Sequence, residues 1–591
     1  MSKDISTNRA KKNTKNGAQK SIINEVSDND SSASEQIEPC ENLSRRGFLQ
    51  GISITAASVA TLGILGGCSP KEDGVTQLNA GANTNSNLSS GANSTQAGQG
   101  VANGAGNTLA ATQKWSPQTA PAPIADADIV QTIEADVVIV GAGAAGIVGA
   151  YTAIQSGASV ALLQNSNSWV SHGWCSGAIN TKYQKEQGVE FNVKEVQAHY
   201  AKLNGGKADE RVLKVFMDNS GETIDWLMSE TKEIGFVGLT GEPPFAHMWE
   251  GQQVGMLGVI MNKAIEAGVQ VHYDTEGVQL IKDGKKIVGV IGNRTEGTNI
   301  GYVKFLAKKG VLLATGDYGN DPEMVEAFAP FCVGLDNTYV PRTNLGGGHK
   351  MALWAGAAID KAAHAPMIHF DPSPLPEGDA PFSGIPWLAV NLLGERFQNE
   401  DTDYPYIVNQ CVLQPESTRF QICDSNYAEH WNNFGGEFMR WSLSGDNQAE
   451  WDDALKRGAI VQADTLDELA SMLALPKETF LATVNRYNEL VEKGTDDDFG
   501  KNPEYLKETK IEAAPFYGIK RVPGVLTIVG GLHVNQKLQV LDLEEQPMQG
   551  LYAAGNVSGN FFGNDYPLWL GAASCGRAVT FGRYAVKSML E

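Results

Sequence analysis

The sharpest hydrophobic pattern in this chain begins at Ala135. Ala135-Asp136-Val137-Val138-Ile139-Val140 is a short β-branched run that predicts a buried strand. Gly141-Ala142-Gly143-Ala144-Ala145-Gly146 follows, and an alanine-rich stretch then predicts a helix from about Ala144 to Ser156. A second apolar run, Ala158 to Leu163, predicts the next strand. Strand, G-x-G-x-x-G turn, helix and strand make the βαβ unit that receives the pyrophosphate of a dinucleotide. Gly141 permits the tight turn, Gly143 lets the backbone approach a phosphate, and Gly146 lets the helix lie close to the strand. The helix start adds free N–H groups and the positive end of its dipole. An acidic residue is expected about 20 positions on, to hold the ribose. Gln164, followed by Asn165, stands there instead. An amide can bond a ribose diol, but without the assistance of a charge.

The periodicity further along predicts helix within 191–235 and from Leu257 to Gly268, with strands near Gln270–Tyr273, Val278–Ile281 and Lys286–Val290. Gly310-Val311-Leu312-Leu313-Ala314-Thr315-Gly316-Asp317 is a strand that ends in a small-residue turn. Gly550-Leu551-Tyr552-Ala553-Ala554-Gly555-Asn556-Val557 repeats the design far downstream. Both parts of the chain are therefore expected in one nucleotide-binding domain. The loop from Ser171 to Asn180, with Ser176 and Gly177 inside it, is small enough to admit a flat ring at close range.

The beginning of the chain has a different character. Residues 1–44 are polar and mixed in charge, a composition that does not build a core. Ser44-Arg45-Arg46-Gly47-Phe48-Leu49-Gln50, ahead of the apolar stretch Ile52 to Leu65, resembles a twin-arginine export signal. Leu65-Gly66-Gly67-Cys68 resembles a lipoprotein processing box, in which Cys68 would carry the lipid. Residues 1–68 are thus expected to be a signal region. Residues 69–130, rich in Gly, Asn, Ser and Thr, are expected to be a flexible linker. The expectation is a lipid-anchored protein on the extracytoplasmic face of the cell membrane.

Composition narrows the chemistry. With 591 residues, 42% of them hydrophobic, the chain can bury more than one core. A net charge of −22 disfavours nucleic acid and anionic membrane surfaces as partners. Beyond the leader the cysteines are Cys175, Cys332, Cys411, Cys423 and Cys575, with no C-x-x-C pair and no C-x-x-C-H haem site. No metal site is expected. Electrons would come from a separate partner, a membrane or cytochrome donor.

Together, the fingerprint, the Ala314-Thr315-Gly316 strand end, the segment Asn391-Leu392-Leu393-Gly394-Glu395-Arg396-Phe397-Gln398-Asn399-Glu400 and the Gly550–Val557 strand resemble the flavoprotein fumarate reductase superfamily. That superfamily includes fumarate and urocanate reductases and the 3-ketosteroid dehydrogenases, and the resemblance runs over about 133–591. It implies an α/β fold: a discontinuous Rossmann-like FAD-binding domain, about 133–365 and 525–591, with an inserted α+β capping domain, about 366–524. It implies FAD contacts from Gly141, Gly143, Ala145, Gly146, Gln164, Ser176, Gly177, Ala314, Thr315, Gly316, Gly555, Asn556 and Ser574. Asn556 stands where an acidic residue is usual.

The resemblance also locates the reacting groups. Fumarate reductases place a proton-donating arginine four residues after the Asn-Glu pair, and here that residue is Tyr404. Thr527 replaces the histidine before Gly530-Gly531, the carboxylate-binding arginine falls near Trp569, and Asp371-Pro372 loosely matches an early His-Pro. A buried dianion needs paired cations, so fumarate is disfavoured as substrate. The ketosteroid dehydrogenase branch instead has a tyrosine at the place of Tyr404 and a Tyr-Pro, here Tyr566-Pro567, before the last helix. Leu568-Trp569-Leu570 departs from the glycine run expected next. The implied activity is that of an FAD-dependent oxidoreductase acting on CH–CH bonds. It would reduce an activated, enone-like C=C in anaerobic respiration, with Tyr404 and Tyr566 as catalytic residues. The alternatives are a 3-ketosteroid-type dehydrogenase introducing a C=C, a reductase of an unsaturated carboxylate, and a non-catalytic flavin electron carrier.

Overall fold

The computed structural model describes residues 116–591 apart from 172, 242, 338, 371–372 and 435–446. The arginine pair, Cys68 and Asp371-Pro372 lie outside the described residues. The chain first builds β1 (Ile129–Val140), α1 (Ala144–Gln155) and β2 (Val160–Leu163). β1 starts earlier than its apolar run predicts. Its first half alternates exposed and half-buried residues, and the continuous buried run is Val137–Val140. Next come β3 (Gln270–His272), β4 (Thr275–Asp283), β5 (Lys286–Arg294) and β6 (Gly301–Leu313).

After β6 the chain reaches β7 (Pro366–His369) and β8 (Leu388–Asn391), then α2 (Tyr404–Val412) and β9 (Arg419–Cys423). It continues through β10 (Val461–Ala463), β11 (Phe516–Arg521) and β12 (Gly524–Ile528). It closes with β13 (Gln539–Leu541), β14 (Pro547–Ala553) and α3 (Ala573–Leu590).

The large sheet has the order β13-β14-β6-β1-β2-β3, extended by the antiparallel β5 and β4. β1 pairs in parallel with β2 and β6, and β6 pairs in parallel with β14. Register aligns three strand ends: Val140 faces Leu313, and Leu313 faces Ala553. The turns after all three strands therefore open at one edge of the sheet, where ligands of such folds bind. The two small-residue strand ends, far apart in sequence, meet here. This is a discontinuous α/β domain, and one apolar core from Ala135 to Met589 underlies it.

The inserted residues form a second layer. β8, β9, β11 and β10 make an antiparallel sheet in that order, with helices packed on it. Its apolar residues divide between a cluster around Leu388, Phe480 and Leu490 and an aromatic cluster around Trp387, Trp431 and Trp451. The chain leaves the large domain along β7 and returns along β12, and these two strands pair with each other, Pro366 opposite Ile528 and His369 opposite Gly524. Arg396 fixes the turn before α2. It donates to Glu400 Oε1 at 2.9 Å and Oε2 at 2.8 Å, and to both oxygens of Asp496 at 3.0 and 2.7 Å. The guanidinium holds the Asp496 carboxyl down, to about 2, although burial opposes it.

Candidate active site

A cavity opens at the aligned strand ends, and its wall begins with the fingerprint. Gly141 has φ of 106°, and a Cβ there would lie 2.3 Å from Ala314 O. At Gly146 a Cβ would lie 1.9 Å from Gly141 O, so only glycine lets α1 lie this close to its strand. Gly141, Gly143, Ala145, Gln164, Ala314, Thr315, Gly316, Gly555, Asn556, Tyr566 and Ser574 all line the cavity. Gly146, Ser176, Gly177 and Tyr404 are not in that lining. Gly146 sits in the helix behind it. Ser176 and Gly177 form a short strand paired with His247 and Ala246, and the Gly177 N–H donates to Ala572 O at 3.0 Å. They brace the start of α3.

Gln164 is held within the protein. Its Oε1 accepts from the Ala142 N–H at 2.9 Å, while Nε2 donates to Ser166 Oγ at 2.7 Å and Asn165 Oδ1 at 3.2 Å. The side chain therefore fixes the fingerprint turn. Asn556 is similarly engaged. Its Nδ2 donates to Thr527 Oγ1 at 2.8 Å, and its Oδ1 accepts from Ser574 Oγ at 3.2 Å and Arg577 Nη2 at 2.9 Å. The Thr527 hydroxyl bonds onward to Asp317, whose carboxylate also accepts from the Ile528 N–H at 3.1 Å and Asn344 Nδ2 at 3.0 Å.

Tyr566 is 3% exposed, and its phenolic oxygen accepts from the Ser574 N–H at 3.1 Å. Burial raises its pKa above the usual tyrosine range. Tyr404 begins α2 and is 4% exposed. Its oxygen accepts from the Phe370 N–H at 3.1 Å and lies 3.4 Å from Ser383 Oγ. It packs with Ile368, Val525 and Ile528, neighbours along β7 and β12 of the lining residues Met367, Leu526 and Thr527. Trp569 packs its ring on His199 and Phe245.

Sequence reasoning missed Gln253, Asn344, Met367 and Cys575 among the other lining residues, whereas Trp174 and Cys175 lie in the Ser171–Asn180 loop it singled out; it also missed the buried Asp317 and Arg577 behind the wall. Arg577 carried a readable signal, a charge at the same helical phase as Ala573 and Phe581.

The donor set fits FAD. A strand-end turn and helix start meet the cavity, and Thr315 Oγ1 and Gln253 Oε1 are buried lining atoms with no hydrogen-bond partner among the described residues. Such atoms are costly unless a ligand bonds them. Gly141 to Ala145 would hold its phosphates, and Thr315, Gln253, Asn556 and Ser574 its polar edges.

Similarity to known proteins agrees with this site. A model of the FAD binding domain family matches residues 136–568. The vinyl phenol reductase of Lactiplantibacillus plantarum is 29% identical over 470 residues, 76% of this chain and 94% of that protein. A cytochrome-type fumarate reductase of Shewanella frigidimarina is 28% identical over 465 residues, 76% of each chain. The open conformation of a flavocytochrome c3 fumarate reductase shares the fold with a TM-score of 0.61 at 24% identity, covering 79% of this chain and 80% of that one. A 3-ketosteroid dehydrogenase from Rhodococcus jostii shares it with a TM-score of 0.60 at 22% identity, covering 78% and 97%. With the fingerprint, the aligned strand ends and the family model in agreement, this chain belongs to the FAD binding domain family, as an FAD-dependent oxidoreductase of CH–CH bonds in the fumarate reductase and steroid dehydrogenase superfamily.

Proposed function

We propose that this enzyme reduces an activated C=C in an enone-like or similarly conjugated substrate that carries no paired carboxylates. The observation that carries the reading is the charge of the cavity wall. Among the described residues the lining holds no arginine, lysine or histidine, and its one charged side chain is Glu276. A dicarboxylate against this wall would lose its hydration without gaining a cation from it, at a cost of several kcal/mol per charge, whereas the FAD phosphates would be met by the free N–H groups at the start of α1.

FAD, when bound, supplies the hydride. The chain's own groups then have two tasks, protonating the neighbouring carbon and steadying the carbonyl-type oxygen on which charge collects. Tyr566 suits the second task. Its oxygen is held by the Ser574 N–H, and no acceptor for its own proton is found among the described residues. That proton can go to a substrate oxygen, a contact worth on the order of 3 kcal/mol in the barrier. Tyr404 is proposed as the proton donor. The Phe370 N–H stabilises its phenolate, and the Ser383 hydroxyl stands close enough to resupply the proton. The similarity to a vinyl phenol reductase supports a neutral, conjugated acceptor.

The test is anaerobic reoxidation of the purified, dye-reduced flavoprotein by enones, vinyl phenols, acrylate, fumarate and steroids. Neutral conjugated alkenes are expected to reoxidise the flavin at least a hundredfold faster than fumarate. Equal or faster reoxidation by fumarate overturns the reading. Location is a separate proposal, resting on Arg45, Arg46 and Cys68: export, a lipid anchor and service in anaerobic respiration with a separate electron donor. Cys68→Ala should release the protein from the membrane fraction, and undiminished attachment would rule the anchor out.

A further inference from the structure

Arg577 is fully buried in α3, one turn from the lining residue Ser574. Its Nη1 donates to Ser558 O at 3.1 Å and its Nη2 to Asn556 Oδ1 at 2.9 Å, while Nε has no hydrogen-bond partner among the described residues. The guanidinium carbon lies 4.9 Å from the ring centre of Phe562 and 5.6 Å from that of Phe561. Among the described residues no carboxylate forms an ion pair with it. Asp360 is the acid within its electrostatic reach, and the oxygens of Asp360 are taken by the N–H groups of Asn560 and Gly531. An unpaired buried guanidinium costs several kcal/mol. Here its partners are a neutral amide, a carbonyl and two aromatic faces.

The cation also orients the cavity wall. Because Asn556 Oδ1 is committed to Arg577 and Ser574, its Nδ2 must turn to Thr527, whose hydroxyl in turn serves Asp317. Asn556, Ser574 and Thr527 all line the cavity, so the positive charge reaches its surface through one amide. The start of α3 points its dipole into the same region, since Ala572, Ser574 and Cys575 are lining residues.

We infer that Arg577 is a positioning residue that, through Asn556, sets the reduction potential of the bound FAD. Reduction near neutral pH can be written FAD + 2e⁻ + H⁺ → FADH⁻: two electrons and one proton enter, and the product carries one more negative charge. A fixed buried cation next to the cavity favours that product over the oxidised form. The asparagine at 556 fits this assignment. A carboxylate there would pair with the guanidinium and cancel its field.

The experiment is anaerobic dye-equilibrated potentiometry on the FAD-loaded protein, read from the flavin absorbance. Asn556→Asp and Arg577→Met should each shift the equilibrium at least tenfold toward oxidised flavin, a change of about 30 mV for a two-electron couple. Arg577→Lys should stay within that margin of the wild type. Asn556→Asp keeps the volume of the site, so it tests the field even where Arg577→Met loses its fold or its FAD. A wild-type potential in Asn556→Asp overturns the inference, and so does a melting-temperature loss in Arg577→Met without a change in potential.

Discussion

Tyr404 and Tyr566 are held in the same way: each phenolic oxygen accepts a backbone N–H at 3.1 Å, from Phe370 and from Ser574. An accepted N–H stabilises the phenolate and leaves the hydroxyl proton to another acceptor. For Tyr566, inside the cavity lining, the proposed acceptor is the substrate. Tyr566→Phe should therefore weaken both substrate binding and turnover, because the contact exists in ground and transition states alike. It should also cost about 1–3 kcal/mol of stability, as the Ser574 N–H at the start of α3 loses its acceptor. Steady-state kinetics and thermal unfolding of the same variant check the two parts. An unchanged KM would remove Tyr566 from the substrate contact.

The parts of this site legible in the sequence are those made by neighbouring residues. Val137–Leu163 announces a strand, turn, helix and strand, and the structure places them within a few residues. The small-residue turns at Ala314–Gly316 and Ala554–Asn556 were readable for the same reason, and register brings them side by side. What could not be read depends on residues far apart in sequence. Arg577, Asn556, Thr527 and Asp317 form one hydrogen-bonded line only because α3 begins where β14, β12 and β6 end. Nothing local says that Gln164 turns inward to Ala142 or that Tyr404 finds the backbone of Phe370. The early start of β1 was lost because its first half alternates polar and apolar residues and lacks the dense β-branched signal of its end.

Gln164→Glu separates two uses of this position. The natural amide accepts from Ala142 and donates to Ser166 and Asn165. A carboxylate keeps the first bond, loses both donations and brings an unpaired charge into a site only 6% exposed. FAD affinity should fall about fivefold, roughly 1 kcal/mol, measured by titrating the apoprotein. A tighter complex would mean that this side chain faces the ribose.

Acid should unfold the protein early. Burial pushes His247 and His349 down to about 4 and His364 and His369 to about 3. In the unfolded chain each takes up a proton near 6.5. Between about 6.5 and these lower values the unfolded state binds more protons, so stability is lost as pH falls. Each histidine contributes a slope of about 1.4 kcal/mol per pH unit across its window. The melting temperature should drop steeply from pH 6.5 to 4, and His349→Gln should reduce the slope by one proton. An unaltered slope in that variant would mean that His349 stays protonatable in the fold.

Tyr404→Phe is the decisive variant for the proton. The substitution removes one hydroxyl from a ring of the same shape, but it also strips the Phe370 N–H of its acceptor. A stability loss of about 1–3 kcal/mol is therefore expected whatever the chemistry, and it cannot by itself identify the donor. The proton role reads out elsewhere. Loss of a general acid lowers turnover by about 10²- to 10⁴-fold with little change in substrate affinity. Reoxidation of the reduced flavin by the natural substrate should slow by that factor at 10 °C, where the destabilised variant remains folded. Reoxidation by an artificial dye, which needs no carbon protonated, should keep its wild-type rate. Should both rates stay at the wild-type value, Tyr404 is a strut between α2 and β7. The proton would then come from Tyr566 or from water admitted at the cavity mouth.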